Sequence, residues 1–195
     1  VDFDQSLLKA IPIKVVERDY GCGNPTRWVT PGDTVLDLGS GSGKNAFICA
    51  QVVGESGAVI GVERNIEMLK LAREALPVVG KTIGFSNVSF IEGNIQSLDE
   101  PHIDNEPLIA NSSIDVVLSN CVLNLVNLSD RQSLLENIKR VLKPSGRVAI
   151  SDIVSNRRVP LSLQQDPELW SGCISGAWQE EQFLDDFRKL GFKNV

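Results

Sequence analysis

Short apolar runs alternate with helical patterns along most of this chain, and that alternation limits the folds open to it. Five runs have the length and composition of buried strands, at residues 34–38, 58–63, 88–91, 114–119 and 147–151. Helical patterns lie between and after them, at residues 45–53, 65–76, 129–142 and 180–190. Strands that alternate with helices favour an α/β fold, with a mostly parallel sheet and helices on both faces. Ligands of such sheets bind beyond the carboxyl ends of the strands.

Three segments have less regular patterns. Residues 5–18 have a helical pattern that Pro12 interrupts, so we expect a broken or kinked helix there. Pro77 is expected to end the helix at 65–76, because proline lacks the N–H that a helix interior uses. Residues 98–112 are polar and contain prolines, so we expect a loop.

The composition excludes several function classes. With 195 residues, of which 42% are hydrophobic, the chain can bury a core in one main domain. We expect an N-terminal helix and the loop of Cys22 in residues 1–30, and the main domain in residues 31–195. The formal net charge of −6 argues against a general nucleic-acid binder, which needs a basic surface. A single histidine, His102, argues against zinc sites and catalytic triads that use several imidazoles.

The apolar residues show no pattern of a targeting signal. No uncharged apolar run reaches the length of about 18 residues that a membrane-spanning helix needs. The first residues have neither the basic region nor the long apolar core of a signal peptide. We therefore expect no membrane partner and a cytoplasmic location.

A glycine-rich loop follows the first predicted strand and opens a helix. It runs from Asp37 through three glycines at every second position, 39, 41 and 43. Glu63 ends the second predicted strand, where a carboxylate can accept hydrogen bonds from both hydroxyls of a ribose. A dinucleotide site needs its third glycine one position later. A glycine-rich turn without a ligand is the remaining alternative.

This loop resembles motif I of the class I S-adenosylmethionine (SAM) methyltransferases. The sequence after the third strand and the Leu142–Gly146 turn before the fifth strand also resemble that family, so the resemblance extends from about Val35 to Asp152. It implies a Rossmann-like sheet and SAM as the cofactor. It further implies that the following residues bind SAM: Tyr20, Asp37, Gly39, Ser40, Gly41, Gly43, Glu63, Arg64, Asn94, Ile95 and Asn120.

The four cysteines fall into two groups. Cys121 directly follows the fourth predicted strand and Cys173 lies after the fifth, so both are expected at the carboxyl edge of the sheet. Cys22 lies in a loop before the first strand, and that loop must fold over the same crevice to join them. Cys49 lies on an apolar helix and is expected to pack in the core.

Three motifs around these cysteines closely resemble the arsenite methyltransferase family. They are Asp19-Tyr20-Gly21-Cys22-Gly23, Ser119-Asn120-Cys121-Val122-Leu123-Asn124-Leu125 and Ser171-Gly172-Cys173-Ile174-Ser175-Gly176-Ala177. The family implies trivalent arsenic, as arsenite or methylarsenite, bound to the thiolates of Cys22, Cys121 and Cys173, and a methyl group passed to it from SAM. Trivalent arsenic is thiophilic, and three sulfurs leave its lone pair free to attack the methyl group. No general base is needed, since arsenic bound to three sulfurs has no proton to lose.

The chain departs from the family at several positions. Asp19 replaces the first tyrosine of a double tyrosine, and Asn94 replaces an acid that contacts adenine. The family's additional cysteine upstream of the first motif is missing from these residues. An external thiol reductant, glutathione or thioredoxin, is therefore expected to restore the thiols.

Other functions remain open at this point. One is a SAM methyltransferase for a small organic acceptor, and another is a metalloid-binding or SAM-binding protein without turnover. A zinc site of the same cysteines is a weaker alternative, because the Cys-x-x-Cys spacing is absent. The chain stops after the pattern at 180–190, so we expect a fragment without the last two strands and the carboxyl-terminal region. Its fifth strand is then an exposed edge that can pair with a second copy.

Overall fold

A five-stranded, all-parallel sheet forms the centre of the molecule in the computed structural model, which describes residues 3–164, 166, 168–169 and 172–195. The order of the strands across the sheet is β3-β2-β1-β4-β5. Their bounds are Thr34–Leu38 (β1), Ala58–Glu63 (β2), Val88–Glu92 (β3), Ile114–Asn120 (β4) and Leu142–Ser151 (β5). The predicted Rossmann-like α/β fold is confirmed. The order reverses between β1 and β4, so a crevice opens at the carboxyl ends of these two strands.

Helices cover both faces of this sheet. In chain order they are Gln5–Leu8 (α1), Ile13–Val16 (α2), Lys44–Val53 (α3), Ile66–Ile83 (α4), Arg131–Val141 (α5), Leu161–Gln164 (α6) and Glu180–Lys189 (α7). Short 3-10 helices occupy Pro25–Trp28, Ile103–Asn105, Leu123–Leu125 and Leu128–Asp130. Two short strands, Val154–Ser155 (β6) and Trp178–Gln179 (β7), pair in parallel. Among the described residues, no helix is long and apolar enough to cross a membrane.

Helix α4 does not end at Pro77, so that prediction is wrong. The helix begins where the Asn65 side chain accepts hydrogen bonds from Glu67 and Met68, and it runs to Ile83. Beyond the proline, Val79 is only 1% exposed and packs in the core, so burial on this face sustains the helix. The true stop is Gly84, whose φ of 91° ends the helix in a left-handed conformation.

The other irregular segments are close to expectation. The pattern at 5–18 is two short helices, α1 and α2, with Pro12 at the start of the second. Residues 98–112 contain no long element, although an isolated bridge joins Pro101 to Pro107.

The core has one cluster of apolar side chains on each face of the sheet. The cluster on the side of α3 and α4 includes Phe3, Ile11, Val15 and Val29, so the N-terminal 30 residues share the core of the main domain. Cys49 is 0% exposed in the same cluster, which confirms its predicted place in the core. The second cluster packs α5 and α7 against the opposite face.

Strand β5 lies at one edge of the sheet. Among the described residues it pairs with β4 alone. A cavity of about 1040 Å³ lies beside this edge, between β5 and α7, and Phe183, Phe187 and Phe192 contribute to its lining.

Candidate active site

The glycine loop lies at the carboxyl end of β1, against the segment that follows β4. Gly39 has a φ of 69°, in the left-handed region that favours glycine. A Cβ at this position would lie 2.4 Å from Cγ1 of Val122, the residue after Cys121. The predicted cofactor loop and the predicted thiol loop are therefore in direct contact.

Buried polar atoms without partners mark the start of this loop. Asp37 is 1% exposed, and neither its Oδ2 atom nor the hydroxyl of Ser40 has a hydrogen-bond partner among the described residues. Burial raises the pKa of Asp37 to about 8, and the negative charges of Asp19 and Glu63 add to this effect. Such unpaired acceptors fit a ligand that brings a cation and hydrogen-bond donors, as the amino-acid end of SAM does.

Glu63 connects the glycine loop to the start of α4. Its carboxylate accepts hydrogen bonds from the backbone N–H of Gly41 at 2.9 Å and of Asn65 at 2.7 Å. This fixes the carboxylate at the carboxyl end of β2, the place expected for a ribose contact.

The other predicted cofactor residues differ in exposure. Arg64 and Asn94 are exposed at the ends of β2 and β3, and Ile95 is buried in the core. Tyr20 is 77% exposed. Their contacts with a cofactor remain predictions.

Asn120 has a role that the sequence did not indicate. Its Oδ1 atom accepts hydrogen bonds from the backbone N–H groups of Cys22 at 3.0 Å and Gly23 at 3.1 Å, and its Nδ2 donates to the Gly23 carbonyl at 2.9 Å. The carboxamide thus holds the Cys22 loop over the end of β4. A contact between Asn120 and the cofactor remains a prediction.

The structure joins Cys22 to Cys121 as a disulfide, with their Cα atoms 5.8 Å apart. The loop before β1 therefore folds over the crevice, as the thiol site requires. The expectation of three free thiolates needs correction for this state of the protein, because two of the three sulfurs are oxidised. Reduction of this disulfide is required before both sulfurs can bind a metalloid.

Cys173 lies against the same pair. Its thiol donates to the carbonyl of Cys121 at 3.3 Å, and its own carbonyl accepts from the Asn124 carboxamide at 3.3 Å. Burial and, to a smaller extent, the charge of Asp152 raise the pKa of this thiol to about 11. Ser171, the first residue of the third cysteine motif, lies outside the described residues.

Both Cys121 and Cys173 have backbone conformations that are rare for residues with a side chain. Their φ angles are 60° and 62°. Such conformations cost on the order of 1 kcal/mol each and are concentrated at functional sites. The fold thus holds two of the three cysteines in strained backbone conformations, next to each other.

Sequence reasoning missed two residues beside the cysteines, Asn124 and Asp152. A carboxylate oxygen of Asp152 and the sulfurs of Cys22 and Cys121 all lie within 4.8 Å of one another. Asn124 is 1% exposed and donates to Asp152 at 2.8 Å. Their positions in the sequence could have indicated both residues, since Asp152 directly follows β5 and Asn124 belongs to the second cysteine motif.

The chain matches known proteins over most of its length. Residues 29–191 match the family model described as a methyltransferase domain. The chain is 39% identical to an arsenite methyltransferase of Aquipseudomonas alcaligenes, over 95% of this chain and 51% of that protein. It is 37% identical to the human arsenite methyltransferase, over 95% of this chain and 48% of that protein. It spans about half the length of these curated relatives.

A solved structure agrees with these matches. It is an arsenic(III) S-adenosylmethionine methyltransferase from Chlamydomonas reinhardtii, with a TM-score of 0.87 and 37% identity, over 97% of this chain and 62% of that chain. The resemblance to arsenite methyltransferases is thereby confirmed, and the chain belongs to the methyltransferase domain family.

Proposed function

We propose that this chain is the catalytic core of a SAM-dependent methyltransferase that transfers methyl groups to trivalent arsenic. The observation that carries the proposal is the meeting of Cys22, Cys121 and Cys173 from three separate loops, next to the glycine loop. Two joined sulfurs, a third cysteine whose thiol contacts the backbone of Cys121, and the glycine loop beside them suit a thiophilic acceptor and a methyl donor.

The residues around the glycine loop fit SAM. Asp37 and Ser40 have buried acceptor atoms available for its amino-acid end, and Glu63 is fixed at the expected place of its ribose. When bound, SAM supplies a methyl group on a positively charged sulfur. The chain contributes the position of this group relative to the cysteines.

The cysteines hold the acceptor in place and leave its lone pair exposed. After reduction, the thiolates of Cys22, Cys121 and Cys173 fill the three bonding positions of arsenic. The fixed loops then orient the lone pair toward the methyl group, so catalysis depends mainly on near-attack geometry. No side chain needs to remove a proton.

Reduction of the Cys22–Cys121 disulfide requires an external thiol. We propose glutathione or thioredoxin for this role and the cytoplasm as the location, since reducing thiols are kept there. The substrate is a small molecule, arsenite or methylarsenite.

The test is a methylation assay with reduced protein, arsenite and SAM, in which methylarsenicals are quantified. We expect product from the parent chain and none from Cys22→Ser, Cys121→Ser or Cys173→Ser. Cys49→Ala is the matched control, because Cys49 lies in the core away from the site. Methylarsenicals from all three serine variants would overturn the thiolate site. Consumption of SAM by an organic acceptor, unchanged in all three variants and without methylarsenicals, would favour an organic acceptor, and arsenite binding without product would favour a non-catalytic protein.

We also propose that this chain associates through the β5 edge. The strand pairs on one side only among the described residues, and unpaired edges favour association. Sedimentation should show a dimer at micromolar concentration, and a monomer at all concentrations would refute the proposal.

A further inference from the structure

Asp152 places a carboxylate beside the sulfurs that are proposed to bind arsenic. One of its oxygens lies within 4.8 Å of both the Cys22 and Cys121 sulfurs. Its charge also acts on the thiol of Cys173, whose pKa it raises. An arsenic atom bonded to these sulfurs would therefore lie next to the carboxylate.

The orientation of this carboxylate is fixed. Oδ1 of Asp152 accepts hydrogen bonds from the Asn124 carboxamide at 2.8 Å and from the backbone N–H of Ile153 at 2.8 Å. Oδ2 accepts a long hydrogen bond from the N–H of Asn124 at 3.4 Å, and the backbone N–H of Leu123 also acts on this carboxylate. Oδ1 thus has two short hydrogen bonds within the protein, whereas Oδ2 is held more weakly and can still face a neighbouring ligand.

The charge of Asp152 is poorly compensated by the protein. Among the described residues it takes part in no salt bridge, although the guanidinium of Arg131 acts on it at longer range. That guanidinium stacks on Trp178, 3.7 Å from the ring centroid, and donates to the Gly176 carbonyl. A carboxylate beside the cysteines repels negatively charged thiolates, so it does not help to hold the thiols in their reactive form. A positive charge that develops in the site during the reaction is a better explanation for its position.

Methyl transfer to arsenic delivers such a cation. The arsenic lone pair forms the As–C bond, and the electron pair of the broken C–S bond stays on the departing sulfur. The sulfonium becomes a neutral thioether, and the arsenic is oxidised from the trivalent to the pentavalent state with a positive charge. No proton moves, and the total charge is unchanged.

We propose that Asp152 is a catalytic residue that stabilises the positive charge as it passes from sulfur to arsenic. A fixed carboxylate in a partly buried site does this without reorganisation, the usual source of electrostatic catalysis. The inference rests on the proposed function for its substrate. It adds a group that touches the reacting atoms besides the three cysteines.

The test compares Asp152→Asn with the parent chain after full reduction. Asparagine keeps the shape and the acceptor for Asn124 and Ile153 but removes the charge. We expect the single-turnover rate of methyl transfer to fall by about a hundredfold, at the lower end of the range for other lost electrostatic contacts. The dissociation constant for arsenite should change by less than about threefold, because arsenic bound to three thiolates is neutral and gains little from a neighbouring carboxylate.

A second measurement is independent of turnover. The parent chain should bind cationic SAM more tightly, relative to neutral S-adenosylhomocysteine, than Asp152→Asn does. Asp152→Glu should regain part of the rate because it restores the charge. Asp130→Asn, a carboxylate outside the cysteine cluster, is the control and should match the parent chain.

The outcomes separate the two proposals. A parent chain that methylates arsenite, with an Asp152→Asn variant of equal rate and equal ligand preference, overturns the role of Asp152 alone. A parent chain that makes no methylarsenic overturns the proposed function, and the ratio of SAM to S-adenosylhomocysteine affinity still decides whether Asp152 stabilises a cation there.

Discussion

The carboxamide of Asn120 accepts a hydrogen bond from the backbone N–H of Cys22 at 3.0 Å. Asn120 is the last residue of β4, and Cys22 lies 98 residues earlier in a loop with no strand of its own. The contact therefore fixes this loop to the end of a central strand of the sheet. The side chain that precedes Cys121 thus also positions Cys22, the partner of Cys121 in the disulfide.

Asn120→Ala should release the Cys22 loop. It removes the acceptor for the N–H groups of Cys22 and Gly23, and such loss costs about 1–3 kcal/mol when the groups stay buried. We expect a lower free energy of unfolding in denaturant titration and weaker arsenite binding by the reduced protein. Asn120→Asp keeps the acceptor oxygen and should retain more affinity. Asn127→Ala, at an exposed position seven residues later, should change neither the stability nor the arsenite affinity. An equal loss of both in this control would contradict the role of Asn120.

Gly23→Ala should displace the Cys22 loop for a steric reason. A Cβ at Gly23 would lie 1.6 Å from the hydroxyl oxygen of Ser151 at the end of β5. We expect this variant to form the disulfide with Cys121 slowly or not at all, as measured by thiol titration of the denatured protein. The double variant Gly23→Ala with Ser151→Gly removes the obstacle and should recover disulfide formation. Failure of the double variant would mean that the space at Ser151 does not limit the loop.

The sequence was sufficient to predict the sheet but not the contacts that complete the site. The alternation of apolar runs with helical patterns is almost enough to predict a parallel sheet. Few other arrangements of layers bury both the apolar strands and the apolar faces of the helices. Pro77 misled the prediction of α4, since the burial of Val79 is a tertiary effect. The disulfide and Asp152 escaped prediction because both depend on how loops from β4 and β5 meet in space.

The oxidation state of the cysteines should be visible by thiol titration. In the structure Cys49 and Cys173 are free and the other two cysteines are paired. The unreduced, denatured chain should therefore show 2 thiols, and the reduced chain all 4. Arsenite should bind tightly only after reduction. Tight binding by the unreduced chain would show that Cys173 and another group suffice.

Reduction should also lower stability. The disulfide closes a loop of 99 residues, and cross-links of that size stabilise by about 4–5 kcal/mol through the unfolded state. The midpoint of thermal unfolding should fall on reduction and rise again when arsenite joins the thiols, because a ligand of the native state stabilises it. Cys22→Ser cannot form this disulfide, so its midpoint should match that of the reduced parent chain in both redox states.

Asp37 should make stability depend on pH in an unusual direction. Its folded pKa of about 8 lies above the ordinary value of 3.8, so between these values the folded chain holds a proton that the unfolded chain has lost. The free energy of unfolding should therefore fall as pH rises from about 4 to about 8 and then level off. Asp37→Asn stays neutral and should lose this slope, with a gain of up to a few kcal/mol at pH 8. It should also bind SAM more weakly, because the cofactor's ammonium group loses a carboxylate partner.

Denaturant titrations at several pH values measure the slope, with the exposed Asp185→Asn as control. Parallel curves for Asp37→Asn and the parent chain would show that the pKa of this carboxyl is not perturbed. A gain in stability together with a loss of SAM affinity would identify Asp37 as a residue that costs stability in the free protein in order to bind the cofactor.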